Sequence, residues 1–449
     1  MTSGITDEEG TELLTCNIIR SEDLDFATDA DVRGTVRRLA AMKARIAAEE
    51  FKLREMAMGF THKAHSLLND ASLDGVVQPA SQYCHDWMHT VLVTGVFNTV
   101  VFRLFSDLWE SGFRDIWAHV GRYVLQWEWP GRVSVGQALG DLFNQKMAKA
   151  TRKAHSFKAS ASDGLALYAV IALFVSGVLL RDGARSLCYH GCVAYLALCD
   201  LLDMLVAVPR GIVTPAMLAA SVDAFLTACV DAHWETWMHS KFHWLIHLPK
   251  HLARFGCLPT CFVHERKHKV AKRYANAVQN TKSFEKSILG ETLAHHLAEL
   301  KSNKVLKFGV ALVNPKVAKP PLVQLLRESL APAAVDAALC RHSLEARILP
   351  AGSCYRRDVV FIRSAGAANT MVAGEVWTHA SVDGVCMTLC NIFRPLPGAG
   401  ERRWDGSERR ARFVATEDIL STCIHTSVGA GNIRIVVPWH LRRWAIGNV

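Results

Sequence analysis

The sequence predicts a mainly α-helical protein that ends in a small β-rich domain, and two features of the chain indicate this. Before residue 300, apolar and charged residues are mixed as in amphipathic helices, with uncharged apolar runs between them. From residue 354 onward short β-prone runs dominate, and Val382-Asp383-Gly384 is a hairpin signal between two of them. We predict a helical segment at 1–80, a larger region at 81–300 with packed helices over about 100–240, a linker and helix at 301–350, and a β-rich domain at 351–449.

The individual elements follow from the same patterns. Residues 31–58 combine Ala, Leu, Arg, Lys and Glu as a helix does, and residues 81–150 and 160–240 predict apolar helices that pack together. Residues 313–321 (VNPKVAKPP) are rich in proline and predict a linker. The predicted strands are residues 359–362, 374–378, 385–393 and 433–437.

Bulk composition limits the class of protein. A chain of 449 residues suits two or three domains, and its 50% hydrophobic residues exclude wholesale disorder. The net charge of +9 suits a polyanionic partner. The thirteen cysteines have no repeated spacing, and Asp7, Glu8 and Glu9 are unlike the start of a secretory signal. We therefore expect reduced cysteines in the cytosol or nucleus.

One apolar run tests this expectation. Residues 164–180 (GLALYAVIALFVSGVLL) carry no charge between Asp163 and Arg181, and their length is at the short limit for a membrane span. Two other apolar runs are shorter or are interrupted by acids. We expect all three to be buried helices and expect no membrane partner, with a span at 164–180 as the alternative.

The most informative segment is a basic strip at residues 241–286. It holds ten Lys or Arg and five His but only two acids, Glu265 and Glu285. If residues 262–280 form a helix, one face presents Glu265, Lys269, Lys272 and Asn276, with His268 and Arg273 at its edges. A carboxylate among cations suits a divalent ion held against a phosphate backbone. The alternative is a solvated charged face that binds nothing.

The same segment contains the pattern H-E-x-x-H at His264, Glu265 and His268, which is the helical zinc site of metallopeptidases. Cys257 and Cys261 lie just upstream as further zinc-type ligands. However, the two positions between Glu265 and His268 normally face a buried core, and here they are the cations Arg266 and Lys267. A membrane-associated zinc metallopeptidase is therefore the second hypothesis.

Two stretches of the sequence together resemble large eukaryotic cut-and-paste transposases of the CACTA type and of the Kyakuja–Dileera–Zisupton group. Asp86-Trp-Met-His89, followed by an apolar run, is similar to the Asp-x-Met-His element of these enzymes. A second stretch is similar to the region that closes their catalytic domain, and its matching parts are His243-x3-His247-Leu-Pro249, Glu265-Arg-Lys-His-Lys269 and Glu285-Lys-Ser-Ile288. The resemblance covers roughly residues 80–300 and is carried by the order and spacing of these parts.

The resemblance implies a partial RNase H-like α/β catalytic core with a large helical insertion, within a mainly helical protein. It implies that Asp86, at the end of a strand, and Glu265, on a helix, are catalytic carboxylates that bind Mg²⁺ or Mn²⁺. In such sites two ions about 4 Å apart stabilise the attacking and leaving oxygens. The family's first acid lies on an upstream strand, whereas the 85 residues before Asp86 predict loops and a helix. The chain therefore looks like the C-terminal part of a transposase, and the candidates for the first acid are Asp23, Asp25, Asp29 and Asp31.

The expected function is that of a transposase-derived nuclease or strand-transfer domain, or of its inactive DNA-binding remnant, in the nucleus. DNA is the expected partner, and a homo-oligomer is compatible with it. The residues expected to bind DNA are Lys241, Lys250, Arg254, Arg266, Lys269, Lys272 and Arg273. The residues expected to line the site are His85, His89, His243, His247 and His268, although each of them alone is more often a hydrogen-bonded core histidine.

Overall fold

A computed structural model describes the backbone of residues 19–20, 22, 26–131, 136–181, 188–277, 283–301, 309–330, 335–348, 352–364, 369–396, 403–408, 410–429 and 431–446. The side chains of residues 263–270 and 299 are outside this description.

The first two thirds of the described chain are helical, as predicted. The helices are α1 (Asp29–Lys43), α2 (Ala48–Ala57), α3 (Trp87–Val91), α4 (Val96–Glu110), α5 (Ile116–Val124), α6 (Gly136–Asp141), α7 (Gln145–Ala154), α8 (Ala161–Phe174), α9 (Tyr189–Ala207), α10 (Pro215–Asp231), α11 (Ser240–Phe255), α12 (Phe262–Ala277) and α13 (Phe284–Lys301). Within the described ranges between residues 26 and 301 there is no strand, so the sheet expected of an RNase H-like core is not among them.

The chain divides into two compact units, of which the first comprises Met1–Ile116, Lys149–Tyr168 and Ala172–Cys261. Its core is formed where α4, α9, α10 and α11 pack together. The helices α4, α9 and α10 are mostly apolar, and α11 contributes one apolar face. Phe97, Tyr195 and Phe225 are fully buried. Burial on this scale is the main favourable term in folding.

A tight corner joins α3 to α4 in this unit. A Cβ on Gly95 would lie 2.4 Å from the carbonyl oxygen of Thr90, so only glycine allows this close approach. The side-chain carbonyl of Asn98 accepts the N–H of Gly95, and the amide group of Asn98 donates to the carbonyl of Phe157. The corner fixes where α3, and the residues just before it, lie against α11.

Among the residues that the structure describes, three helical stretches are long and apolar enough to cross a membrane, as judged by length and composition alone. They are Trp87–Glu110, Ala161–Leu179 and Tyr189–Arg210. The buried share of the apolar window is 72%, 39% and 67%, respectively. The expectation that no membrane is involved therefore stays a prediction, and Ala161–Leu179 is the stretch on which it is weakest.

The second unit comprises Trp117–Ala148, Ala169–Ile171 and Phe262–Val449, and it contains the described strands. These begin at residue 311, earlier than the predicted domain boundary at 351. They are β1 (Ala311–Leu312), β2 (Lys316–Val317), β3 (Arg341–Ser343), β4 (Glu345–Ile348), β5 (Gly352–Tyr355), β6 (Val359–Arg363), β7 (Thr370–Val382), β8 (Val385–Ile392), β9 (Arg394–Leu396), β10 (Arg403–Asp405), β11 (Ala411–Ala415), β12 (Ile419–Cys423), β13 (His425–Ser427), β14 (Asn432–Ile435) and β15 (Ala445–Ile446), with α14 (Pro320–Ser329) between β2 and β3.

The long strands β7 and β8 are the centre of this unit. Within the described residues, β7 pairs with β3, β6, β8 and β15, and all but the β15 pairing are antiparallel. The predicted hairpin is confirmed, because Val382 pairs with Val385 and the turn is Asp383-Gly384. Both turn residues have positive φ, 49° and 81°, as a two-residue hairpin turn of the primed type requires.

Candidate metal centre

Asp86 lies at the N-terminus of α3 in the first unit. Its backbone is extended, and its Oδ1 accepts the N–H of Met88, which makes it the N-cap of the helix. The expectation that Asp86 ends a strand is corrected here, because the described residues just before it form turns and irregular backbone and not a strand. The residues after it form α3, which packs against α11. The same oxygen accepts the N–H of Cys261 at 3.2 Å, and Oδ2 contacts Nδ1 of His89.

These contacts bring three metal-binding residue types together. Ligand atoms of Asp86, His89 and Cys261 all lie within 4.8 Å of one another. The cysteine of this group comes from just before α12, more than 170 residues away in sequence. A carboxylate, an imidazole and a thiol form a donor set that suits zinc, whereas Mg²⁺ prefers oxygen donors alone.

Cys84 lies beside this group. Burial raises the pKa of its thiol to about 11, and the neighbouring Cys257 and Asp86 add to the increase. A thiol with this pKa is protonated at neutral pH and is therefore not a ready nucleophile or ligand. Cys257 and Cys261, which precede the H-E-x-x-H pattern in the sequence, therefore lie near Cys84 and Asp86 in the first unit.

A second cluster consists of three histidines of α11 and of His85. His243, His247 and His251 follow one another at four-residue spacing along α11, and so they share one face of that helix. His85, the residue before Asp86, meets this face, with ring centroids 5.2 Å from His247 and 5.5 Å from His251. Ligand atoms of His85, His247 and His251 lie within 4.8 Å of one another.

The histidine cluster opens into a cavity of about 530 Å³ in the first unit. The ring of Phe26 and the backbone around Ala80 and Ser81 form part of its wall. The ionisable groups that line it are Asp29, Tyr83, His85, His243, His247, Lys250, His251 and Arg254.

Burial keeps these imidazoles neutral. Burial, together with the neighbouring histidines, lowers the pKa of His85 to about 4 and that of His247 to about 3. The pKa values of His243 and His251 are also lowered, mainly by burial. At neutral pH each ring therefore keeps an unprotonated nitrogen, which is the form that binds metal ions.

Asp29 and Asp31, two candidates for the missing acid, have structural partners. Asp29 accepts the N–H groups of Ala80 and Ser81 and the Ser81 hydroxyl, and these bonds lower its pKa. Asp31 forms a capping box with Thr28 at the start of α1. Asp23 and Asp25 lie outside the described residues.

Three of the cations predicted to bind DNA lie on α11 and contact the protein itself. The ammonium group of Lys241 donates to the carbonyls of His89 and Val93, at 3.0 and 2.7 Å. Lys250 lies 3.5 Å above the ring of Phe26. Arg254 donates to the carbonyls of Ala80 and Ser81. Lys241 is half-buried and donates two hydrogen bonds within the protein, whereas Lys250 and Arg254 keep exposed surface.

The predicted helix over 262–280 is observed as α12, with residues 278–282 outside the description. Lys272 and Arg273 are exposed on it. The other predicted site residues of this helix belong to the stretch whose side chains are outside the description, and they are His264, Glu265, Arg266, His268 and Lys269. Their DNA-binding, catalytic and zinc-ligand roles all stay predictions.

Sequence reasoning missed one member of the histidine cluster. His251 continues the spacing of His243 and His247 by one more helical turn, so a search for His-x3-His pairs on one helix would have found it. The contact of this face with His85 has no sequence signal, since more than 150 residues separate them. Searches against family models, curated proteins and solved structures find no match to this chain.

Proposed function

We propose that this chain is a DNA-binding protein of the transposase type, in which α12 contacts the phosphate backbone. The supporting observation is the helix itself: over Phe262–Ala277 the sequence has five Lys or Arg and one acid. Lys272 and Arg273 project from its exposed surface. Cations on one exposed helix face are the usual means of contacting DNA phosphates.

The proposal also assigns a role to the two acids that match the family. Asp86 is a rigid carboxylate because two N–H groups and His89 hold it in one orientation. Glu265 follows Cys261 by four residues, in the first turn of α12. In the resembling enzymes the matching acids bind Mg²⁺, and two such ions stabilise both oxygens of the phosphodiester exchange.

The described donors of this chain do not suit that chemistry. Among the described residues, the group around Asp86 contains nitrogen and sulfur donors and no second carboxylate. Mg²⁺ prefers near-octahedral oxygen ligands. We therefore propose DNA binding without Mg²⁺-dependent strand cleavage, which corresponds to the inactive remnant expected above.

A plasmid assay tests this proposal. The full chain is incubated with supercoiled plasmid and Mg²⁺ or Mn²⁺, beside the double variant Asp86→Ala, Glu265→Ala. We expect both proteins to retard the plasmid on a gel and neither to nick it. Absence of retardation by the wild type would contradict the DNA-binding proposal.

The same gel reports on catalysis. Nicking by the wild type and not by the double variant would overturn the proposal of an inactive site. The search for the missing acid would then turn to Asp23 and Asp25, which lie outside the described residues. Nicking by both proteins would indicate a contaminating nuclease, which a third preparation from cells lacking the chain identifies.

A further inference from the structure

We infer that His85, His247 and His251 form a binding site for a transition-metal ion of the zinc class, whose remaining coordination position opens into the adjacent cavity. The site is separate from Asp86, and the inference does not depend on the proposed DNA binding. It rests on three observations, which are the geometry of the ligands, their surroundings and the charge of the cavity.

The ligand geometry is close to that of a three-histidine site. The three imidazoles present ligand atoms within 4.8 Å of one another. A tetrahedral zinc site with Zn–N bonds of about 2.0–2.1 Å places its ligand nitrogens about 3.4 Å apart. Side-chain rotations that bring these atoms closer by about 1.4 Å or less would close this difference. Two ligands four residues apart on a helix and a third from a distant segment are a common arrangement in zinc proteins.

Neighbouring groups hold the rings in place. The ring of His85 stacks on Trp244, with centroids 5.0 Å apart, and the hydroxyl of Tyr83 lies 3.4 Å from its Nδ1. Nε2 of His247 lies 3.1 Å from Nε2 of His243. Metal-binding histidines usually have such a partner, which fixes their orientation and tautomer.

The charge of the cavity decides what else binds there. His85 and His251 are buried, so a divalent cation held there would be largely shielded from solvent and would have three imidazole nitrogens as donors. Lys250 and Arg254 on the cavity wall oppose a second cation, whereas the carboxylate of Asp29 offsets part of their charge. The two cations favour an anionic fourth ligand, such as hydroxide or an inorganic oxyanion.

Metal binding by the full chain tests the inference. The purified chain is stripped with a chelator and titrated with Zn²⁺ and separately with Co²⁺, and metal content and visible absorption are recorded. We expect the variant His247→Gln, His251→Gln to lose one metal ion per chain. The Kd of this variant for Zn²⁺ at the site should exceed that of the wild type by more than the roughly 10–100-fold that loss of an outer-shell partner costs.

Two controls separate this site from others. The exposed His190→Gln should leave metal content unchanged. Cys261→Ser alters the group around Asp86, so it should remove any ion held there and leave the ion held by the histidines. In cobalt-loaded Cys261→Ser, the visible absorption bands of the histidine-bound Co²⁺ should be the same as in the wild type. Equal metal content in the wild type and the double histidine variant would overturn the inference. So would a wild-type cobalt spectrum consisting only of sulfur-ligated metal, a result that does not depend on any variant folding.

Discussion

Lys241 shows how the position of a residue can change the role that its charge suggests. In the sequence it is the first cation of the basic strip and predicts a DNA contact. In the structure its ammonium group donates to the carbonyl of His89, which lies in α3, and to that of Val93, just after α3. Its pKa is lowered by burial, which indicates partial loss of solvent. We therefore assign it to holding α3 against α11.

We predict that Lys241→Met destabilises the protein by about 1–3 kcal/mol, because two partly buried carbonyls lose a charged donor. Lys272→Met, which changes an exposed residue on α12, should change stability by less than about 0.5 kcal/mol. Urea denaturation of both variants measures the difference. Equal stability of the two variants would show that Lys241 does not hold α3 in place.

At the scale of elements, a buried hydrogen-bond chain links strands of the second unit. Nε2–H of His379 on β7 donates to the carbonyl of Cys354 on β5, and its Nδ1 accepts the hydroxyl of Thr388 on β8. The hydroxyl of Thr416 then donates to Thr388. This assignment satisfies a neutral imidazole completely, and burial lowers the pKa of His379 to about 4.

The buried hydrogen bonds of His379 predict that the stability of the protein depends on pH. In the unfolded chain His379 takes up a proton near its usual pKa of 6.5, whereas in the folded protein it does so only near 4. Stability should therefore fall as the pH decreases from about 6.5 to 4 and then level off. The loss from this group is roughly 3 kcal/mol at most. The hydrogen bond to the Cys354 carbonyl and the charge of Glu345 oppose the effect of burial, and the pKa of about 4 includes both.

The variant His379→Gln tests this expectation, since glutamine does not titrate. Urea unfolding is measured at pH 7 and pH 4.5 for both proteins. We expect the variant to be less stable than the wild type at pH 7 and to lose less stability on acidification. Parallel pH profiles would assign the acid sensitivity to other groups.

Elements set by local sequence were predictable, and those set by tertiary contacts were not. The helix over α12 and the Asp383-Gly384 hairpin follow from local patterns, and both are observed. Asp86 was placed on a strand because the resemblance required one, whereas its own neighbours form a helix. The sequence pointed to His243 and His247, but their meeting with His85 depends on how α11 packs.

At the scale of the whole molecule, the described chain combines an apolar helical unit with a β-rich unit. Three helical stretches have the length and apolarity of membrane spans, and two of them are mostly buried within the protein. The net charge of +9 is unevenly distributed, since α12 alone contributes an excess of four cations. This concentration of charge favours a polyanionic partner, and the sequence resemblance is why we propose DNA as that partner.

The central claim is that α12 binds the DNA backbone, and the salt dependence of binding tests it most directly. Affinity for a duplex is measured by fluorescence anisotropy over a range of salt concentrations, for the wild type and for Lys269→Ala, Lys272→Ala, Arg273→Ala. Each lost phosphate contact lowers the slope of log affinity against log salt by about 0.9. The control triple variant changes the exposed residues Lys43, Lys52 and Lys146 of the first 150 residues.

We predict that the α12 variant binds more weakly and that its slope is shallower by up to about three units, while the control variant keeps the wild-type slope. The result that would contradict the account is an unchanged slope in the α12 variant, or an equal decrease in both variants.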